Sequence, residues 1–354
     1  MRNENEMLET IINTAKSDHR VLAVYLKGSR ANPNAPKDIY RDFDIMYVVK
    51  ETESFIKDTS WLNKFGKIVL KQEQNDCFGY GERFGIRNNY DESYSWLLLF
   101  EDGNRVDIGV EVLKVMEEGR NRNKLFVPLL DKIGCLPKLP PPTDEDFHIR
   151  KPSAEKFRGC CNEFYWCLCD VAKGIARDEL PFDMTTYNTL VRDMLETMLD
   201  WYIGTYTDYS VSSGKLHKYL KRYLPSDFYE EYIKTYSDGN YEHLWNSIDI
   251  SCELFKKTAL LVENTLILNI LKKTNWLQSA IFPALKKKYI YKLKIPRLIN
   301  RGIFITHNIL SYRQVLYRRV CGFLSLGGRI RSLFLLRLFR GKFSNGLSYP
   351  RPYT

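Results

Sequence analysis

Apolar residues first recur at helical spacing. Met7, Leu8, Ile11 and Ile12 mark one face over residues 7–15 and predict a helix. The period then changes. VLAVYL at 21–26 is a short β-rich run ended by Gly28, and FDIMYVV at 43–49 is a second. Residues 67–71 predict a third strand. Residues 95–100 and 105–110 flank EDGN, the turn of a hairpin. Pro137, Pro140, Pro141 and Pro142 then interrupt every pattern, so residues 136–147 read as a linker. From 153 to about 262 the spacing is helical. AEKFRGCCNEFYWCLCDVAKGIAR, TTYNTLVRDMLETMLDWYIG (ended by Gly204), KLHKYLKRYL and YEHLWNSIDISCELFKKTALLV predict four helices and a helical bundle. The predicted class is α+β. A mixed-sheet domain spans 1–135, the linker 136–147 and a helical domain 148–262, and a divergent tail fills 263–354.

Charge sharpens this division. The chain carries 53 Lys and Arg against 43 Asp and Glu. Residues 264–354 hold 18 of the basic residues and no acid, which leaves 35 basic and 43 acidic side chains before them. An acidic body with a basic tail favours small cationic ligands over nucleic acid for the body. The N-terminus lacks the apolar stretch of a signal peptide, and no window is long and apolar enough to span a bilayer. The expected compartment is the cytoplasm, and the eight cysteines are expected as reduced thiols.

Candidate chemistry sits between the first two strands, in GSRANPNAPKDIYRDFD. Alternation along a strand puts Asp42 and Asp44 on one side, with Phe43 and Ile45 on the other. Two carboxylates this close repel unless a cation lies between them. Magnesium takes one or two carboxylates together with phosphate oxygens and water. Gly28 allows close backbone approach to an anion, and the Ser29 hydroxyl can donate to phosphate. Asp107, in NRVDIGV, supplies a third carboxylate from the hairpin. Three strand-borne aspartates with a Gly-Ser turn suit two-metal nucleotidyl transfer.

Gly28-Ser29, twelve residues, then Asp42-Phe43-Asp44 resembles the signature of the DNA-polymerase-β-like nucleotidyltransferases. More narrowly, GSRANPNAPKD with RDFDIMYVV is similar to the aminoglycoside 6-adenylyltransferases, streptomycin-modifying enzymes of bacteria. DTSWLNKFGKIVLKQ, DFHIRKPSAEKFRGCCNEFYW and SSGKLHKYLKRYL agree, so the resemblance covers about residues 1–262. It implies transfer of AMP from ATP to a streptomycin hydroxyl, with antibiotic resistance as the outcome. It implies Mg²⁺, two ions by the superfamily pattern, held by Asp42, Asp44 and Asp107, with Asp107 a ligand or a general base. Gly28, Ser29 and Arg30 match the triphosphate turn. Lys215 matches a lysine that reaches the triphosphate, and Arg192 and Tyr236 are further candidates for nucleotide contact.

Streptomycin carries two guanidinium groups, which pair bidentately with carboxylates. The first predicted bundle helix offers Glu155, Asn162, Glu163 and Trp166, with Asp170 further on. Glu155, Asn162 and Trp166 can share one face, and Glu163 and Asp170 another. Glu82 and Asp91, ahead of the hairpin, are further candidates. Cys160, Cys161, Cys167 and Cys169 read as small thiols, because adjacent helical cysteines diverge by about 100° and make poor zinc ligands. His148 lies just ahead of Arg150 and Lys151, near the expected cleft. The tail admits four readings: helices packed on the bundle, contact with an anionic membrane, RNA binding, or unrelated coding sequence joined by a frameshift. Its abrupt change of composition favours the last.

Overall fold

The computed structural model describes residues 1–73 and 89–266. Its centre is a six-stranded sheet: β1 (Val21–Lys27), β2 (Phe43–Val49), β3 (Ile68–Glu73), β4 (Ser93–Phe100), β5 (Arg105–Val112) and β6 (Val127–Asp131). The spatial order is β3-β4-β5-β2-β1-β6. Only β2 and β5 run parallel; every other pairing is antiparallel. The sheet is therefore mixed, as the sequence predicts. The helix α1 (Glu4–Ser17) starts at a capping box, in which the Asn3 side chain accepts from Glu6 N–H and the Glu6 carboxylate accepts from Asn3 N–H. Its buried face, Met7, Ile11 and Ala15, joins Phe43, Ile45, Trp61, Phe65, Trp96, Val106 and Ile108 in the larger core. Ala23, Tyr25, Met46, Val48, Met116 and Phe126 form a smaller cluster on the other face.

Short helices α2 (Gly28–Ala31), α3 (Glu53–Lys57) and α4 (Leu113–Glu118) link the strands. Six longer or later helices follow: α5 (Ala154–Ile175), α6 (Leu180–Thr186), α7 (Arg192–Thr207), α8 (Leu220–Tyr223), α9 (Ser226–Ile233) and α10 (Tyr241–Leu266). The described residues fall into two compact units. One comprises the sheet, α5 up to Phe164, and residues 189–266; Tyr165–Asn188 belongs to the other. Within the first unit, α7 and α9 pack on α10, Phe164 stacks on Phe255 at 3.9 Å, and Tyr202 stacks on Phe228 at 4.7 Å.

Two predicted elements differ in detail, and other elements were not predicted. KLHKYLKRYL is not one helix: Lys215–His217 is a 3₁₀ turn with Leu216 at φ 54° and His217 at φ 57°, and only Leu220–Tyr223 is α-helical. α7 runs past Gly204 to Thr207 and ends at Asp208, which takes φ 50°. The edge strand β6 and helices α6 and α9 have no counterpart in the predicted elements. Among the described residues no helix is long and apolar enough to cross a membrane. The predicted tail beyond 266 lies outside the described residues, as do Glu82, Cys77 and Cys321.

Candidate active site

Register builds the site. β2 and β5 pair in parallel with Asp44 opposite Asp107, and β1 pairs with β2 so that Lys27 is opposite Asp44. Residues directly opposite in a sheet project from the same face, about 4.8 Å from strand to strand. Lys27, Asp44 and Asp107 therefore form one row across three strands. Asp42, two residues before Asp44, projects to the same side. The intervening Phe43 and Ile45 are buried in the larger core, as are Val106 and Ile108 around Asp107. This resolves the puzzle of charged residues inside apolar runs, because alternation sends them away from that core.

Burial pushes the Asp44 carboxyl up to about 6, with the charges of Asp107 and Asp42 adding to it while Lys27 and Arg105 oppose. Burial also raises Asp42, where Arg105 opposes and Asp107 adds. The acids therefore sense one another. Arg105 lies across two of them. Its Nε and Nη2 each donate to Asp107, to Oδ1 and Oδ2, at 2.8 Å, and Nε is 3.5 Å from Asp42 Oδ2. Among the described residues, no group of three or more His, Cys, Asp or Glu side chains is arranged to hold a metal ion. Burial lowers Lys27, against the attraction of Glu111, Asp44 and Asp107. Glu111 is fully buried and accepts from Tyr25 Oη at 2.7 Å and Asn121 Nδ2 at 3.0 Å.

The Gly-Ser turn lies against this row. Gly28 has φ 69°, and a Cβ there would fall 1.9 Å from Asp44 Oδ2. The position needs glycine both for its left-handed backbone and for the space. Ser29 follows in α2, half-buried. Arg30 is engaged by protein partners. Its guanidinium donates to the carbonyls of Asp42 at 3.1 Å and Arg41 at 2.7 Å, pairs with Glu4 at 2.9 Å, and lies 3.6 Å over Phe43. Those partners commit it to fixing the segment that carries Asp42.

Arg192 and Tyr236 do meet, with the guanidinium 3.7 Å over the ring. Yet Arg192 is 3% exposed and already bonded to Thr235, to Glu196 at 3.0 Å and to Tyr232 Oη at 2.7 Å. It is a buried brace between α7 and α9. Tyr236 is 56% exposed and keeps an open face. Lys215 is exposed on the left-handed turn. The charge from this segment that acts on Asp42 is that of Lys218. Beside it, His217 Nδ1 is 3.1 Å from Asp200 Oδ2; burial opposes its protonation, but Asp200 and Glu196 together raise its pKa. On α5, Glu155, Asn162, Glu163 and Trp166 are all exposed, and Glu155 is 3.5 Å from Arg158.

Residues 1–276 match the profile of a family described as streptomycin adenylyltransferase. The chain belongs to this family. It is 36% identical over 259 residues to an aminoglycoside 6-adenylyltransferase of Campylobacter jejuni, covering 73% of this chain and 88% of that one. A protein of the same description from Bacillus subtilis (strain 168) is 36% identical over 267 residues, 75% of this chain and 92% of the relative. One from Staphylococcus aureus is 32% identical over 257 residues, 72% and 89%. A crystal structure of an aminoglycoside 6-adenyltransferase from Bacillus subtilis aligns over 82% of this chain and 99% of its own, at 29% identity and a TM-score of 0.40. The chain is thus a nucleotidyltransferase.

For this streptomycin adenylyltransferase family member, the residues that sequence reasoning missed are the cations. Lys27, Arg105 and Lys218 act on the aspartates, and the charge of Glu111 acts in turn on Lys27. Arg105 was within reach, because it stands two residues before Asp107 on the same strand face. Lys27 needed the β1–β2 register, which no periodicity supplies.

Proposed function

We propose that this enzyme transfers AMP from ATP to a hydroxyl of streptomycin, the 6-position by family likeness, releasing pyrophosphate and conferring resistance to the drug. The observation that carries the reading is the in-register row of Asp44 and Asp107, flanked by Asp42 and closed by Gly28. Three hard oxygen donors in a charged row suit magnesium, and Arg105 already stands there as a cation between Asp107 and Asp42. Asp42, Asp44 and Asp107 would hold one or two ions. Bound metal would lower the pKa of the attacking hydroxyl and neutralise charge at the α-phosphate.

The chain's own residues orient the substrates. Gly28 and Ser29 bring backbone and hydroxyl to the triphosphate, and exposed Lys215 and Tyr236 are available to the nucleotide. The drug oxygen forms its bond to the α-phosphorus as the bond to the β-phosphate oxygen breaks and pyrophosphate leaves. Asp107 serves as metal ligand or takes the hydroxyl proton. Exposed Glu155 and Glu163 on α5, with Asn162 and Trp166, fit the guanidinium groups of streptomycin, whose planar forks pair with carboxylates. The work is divided between a nucleotidyltransferase part at 1–135 and a helical part at 148–262, in a cytoplasmic enzyme.

Purified protein with Mg²⁺, ATP and an aminoglycoside panel tests this through pyrophosphate release. Release with streptomycin is the expected outcome. Nucleotide binding without release on any aminoglycoside would move the enzyme to another alcohol or protein substrate.

A further inference from the structure

We propose that Arg105 is an exchangeable counter-ion of the carboxylate row: it must leave Asp107 and Asp42 before a divalent cation can bind there. The idea rests on the reading of these aspartates as metal ligands. Arg105 takes both oxygens of Asp107 in a fork at 2.8 Å and reaches Asp42 at 3.5 Å. Those lone pairs cannot serve the guanidinium and a metal at once. The side chain is also built to move. It stands at the first residue of β5, and it is 44% exposed, so its departure uncovers no core. The Asp107 it grips is 21% exposed and stays fixed in the strand by register with Asp44.

Charge explains why such a residue is useful. Asp42, Asp44 and Asp107 would repel one another in the metal-free protein; Lys27 opposes this at Asp44, and Arg30 and Lys218 oppose it at Asp42. Arg105 pairs with Asp107 and Asp42 and keeps the row assembled. When it swings out, the row loses the cation ion-paired to Asp107 and Asp42, and the freed carboxylate oxygens favour a divalent ion. The exchange also sets a threshold, since metal binds only as strongly as it outcompetes the fork.

Mn²⁺ titrated into the full chain without nucleotide, at low ionic strength, tests the proposal by calorimetry. Wild type is expected to bind, and Asp44→Asn to lose binding. Arg105→Gln is expected to bind about fivefold tighter, equivalent to the ~1 kcal/mol that a partly exposed bidentate pair contributes. The gain should shrink at high salt. Arg105→Lys, which keeps the charge without the fork, should gain less, and it decides the matter if the glutamine variant does not fold. Thermal melts add a second readout: Mn²⁺ should raise the Tm of Arg105→Gln by more than it raises that of wild type, whereas a purely structural arginine would leave the two increments equal. Unchanged or weaker Mn²⁺ binding in both arginine variants, with Asp44→Asn still abolishing it, overturns the exchange and leaves the metal ligands standing. No Mn²⁺ binding by wild type overturns both.

Discussion

At the scale of single residues, the site depends on a few contacts that tolerate no substitute. Asp44→Asn removes a carboxylate on which the charged row centres. It should lower the rate of pyrophosphate release about a thousandfold, the loss of several kcal/mol of transition-state stabilisation; a variant within about tenfold of the parent would show that the carboxylate has been misassigned. Gly28→Ala should be nearly as damaging, because its Cβ enters the space of Asp44 Oδ2 and the backbone is left-handed. We expect it to lose activity and about 1–3 kcal/mol of stability in urea melts. Asp183 is a third case. It is fully buried, its carboxylate oxygens have no hydrogen-bond partner among the described residues, and burial with Glu179 nearby pushes it up to about 7. A carboxyl raised above its unfolded value near 4 destabilises the fold progressively as pH rises from about 4 to above 7. Asp183→Asn should therefore raise Tm by several degrees at pH 8, by less at pH 5 and hardly at pH 4, and equal shifts at pH 8 and pH 4 would rule this account out. The aspartates and Gly28 were legible because alternation and a Gly-Ser turn are local signals. The roles of Arg30 and Arg192 were not, since nothing in their neighbourhood reveals that Glu4, Phe43, Tyr232 and Thr235 reach them from elsewhere.

At the scale of elements, the strongly periodic segments emerged where their patterns put them. α1 has a capped helical face, β1 and β2 are apolar runs buried on both faces and β4 alternates, and the observed bounds of these elements and of β5 extend the predicted ones by a few residues at most. The misses share a cause. β6 is a short edge strand containing Pro128, which pairs only with β1, and its pattern is too short to stand out. KLHKYLKRYL has helical spacing, but Gly214, Leu216 and His217 take positive φ and turn the chain before α8. Leu216 is 87% exposed, so it buries little while occupying a strained backbone position. Leu216→Gly should stabilise the protein by about 0.5–1 kcal/mol, and Leu216→Val should destabilise it by more than about 1 kcal/mol. Denaturant midpoints for the pair provide the check, and the reverse order would mean that the turn is held by contacts of the leucine side chain.

At the scale of the whole molecule, composition anticipated more than element patterns did. The acidic body and the acid-free segment after Glu263 are plain in the sequence, and the family match ends at residue 276, close to that change. A chain truncated after residue 276 should therefore keep adenylyl transfer within about threefold of the full protein, a difference below 1 kcal/mol in barrier. Loss of activity on truncation, with soluble protein recovered, would assign the tail a part in the reaction. The division of the described residues was not legible at all. It falls inside α5, between Phe164 and Tyr165, where helical periodicity runs on without a break.

The lone parallel pairing in the sheet also bears on how the enzyme comes into being. Asp44 meets Asp107 only because β5 inserts between β2 and β4, after the chain has left the sheet centre through β3 and returned. A nascent chain that has made β1 and β2 carries the Gly-Ser turn and two of the acids, yet it has no third acid and an open strand edge. Such long-range closure is slow. Catalytic competence should thus arrive late in refolding, in step with burial of Trp96 on β4, the neighbour of β5.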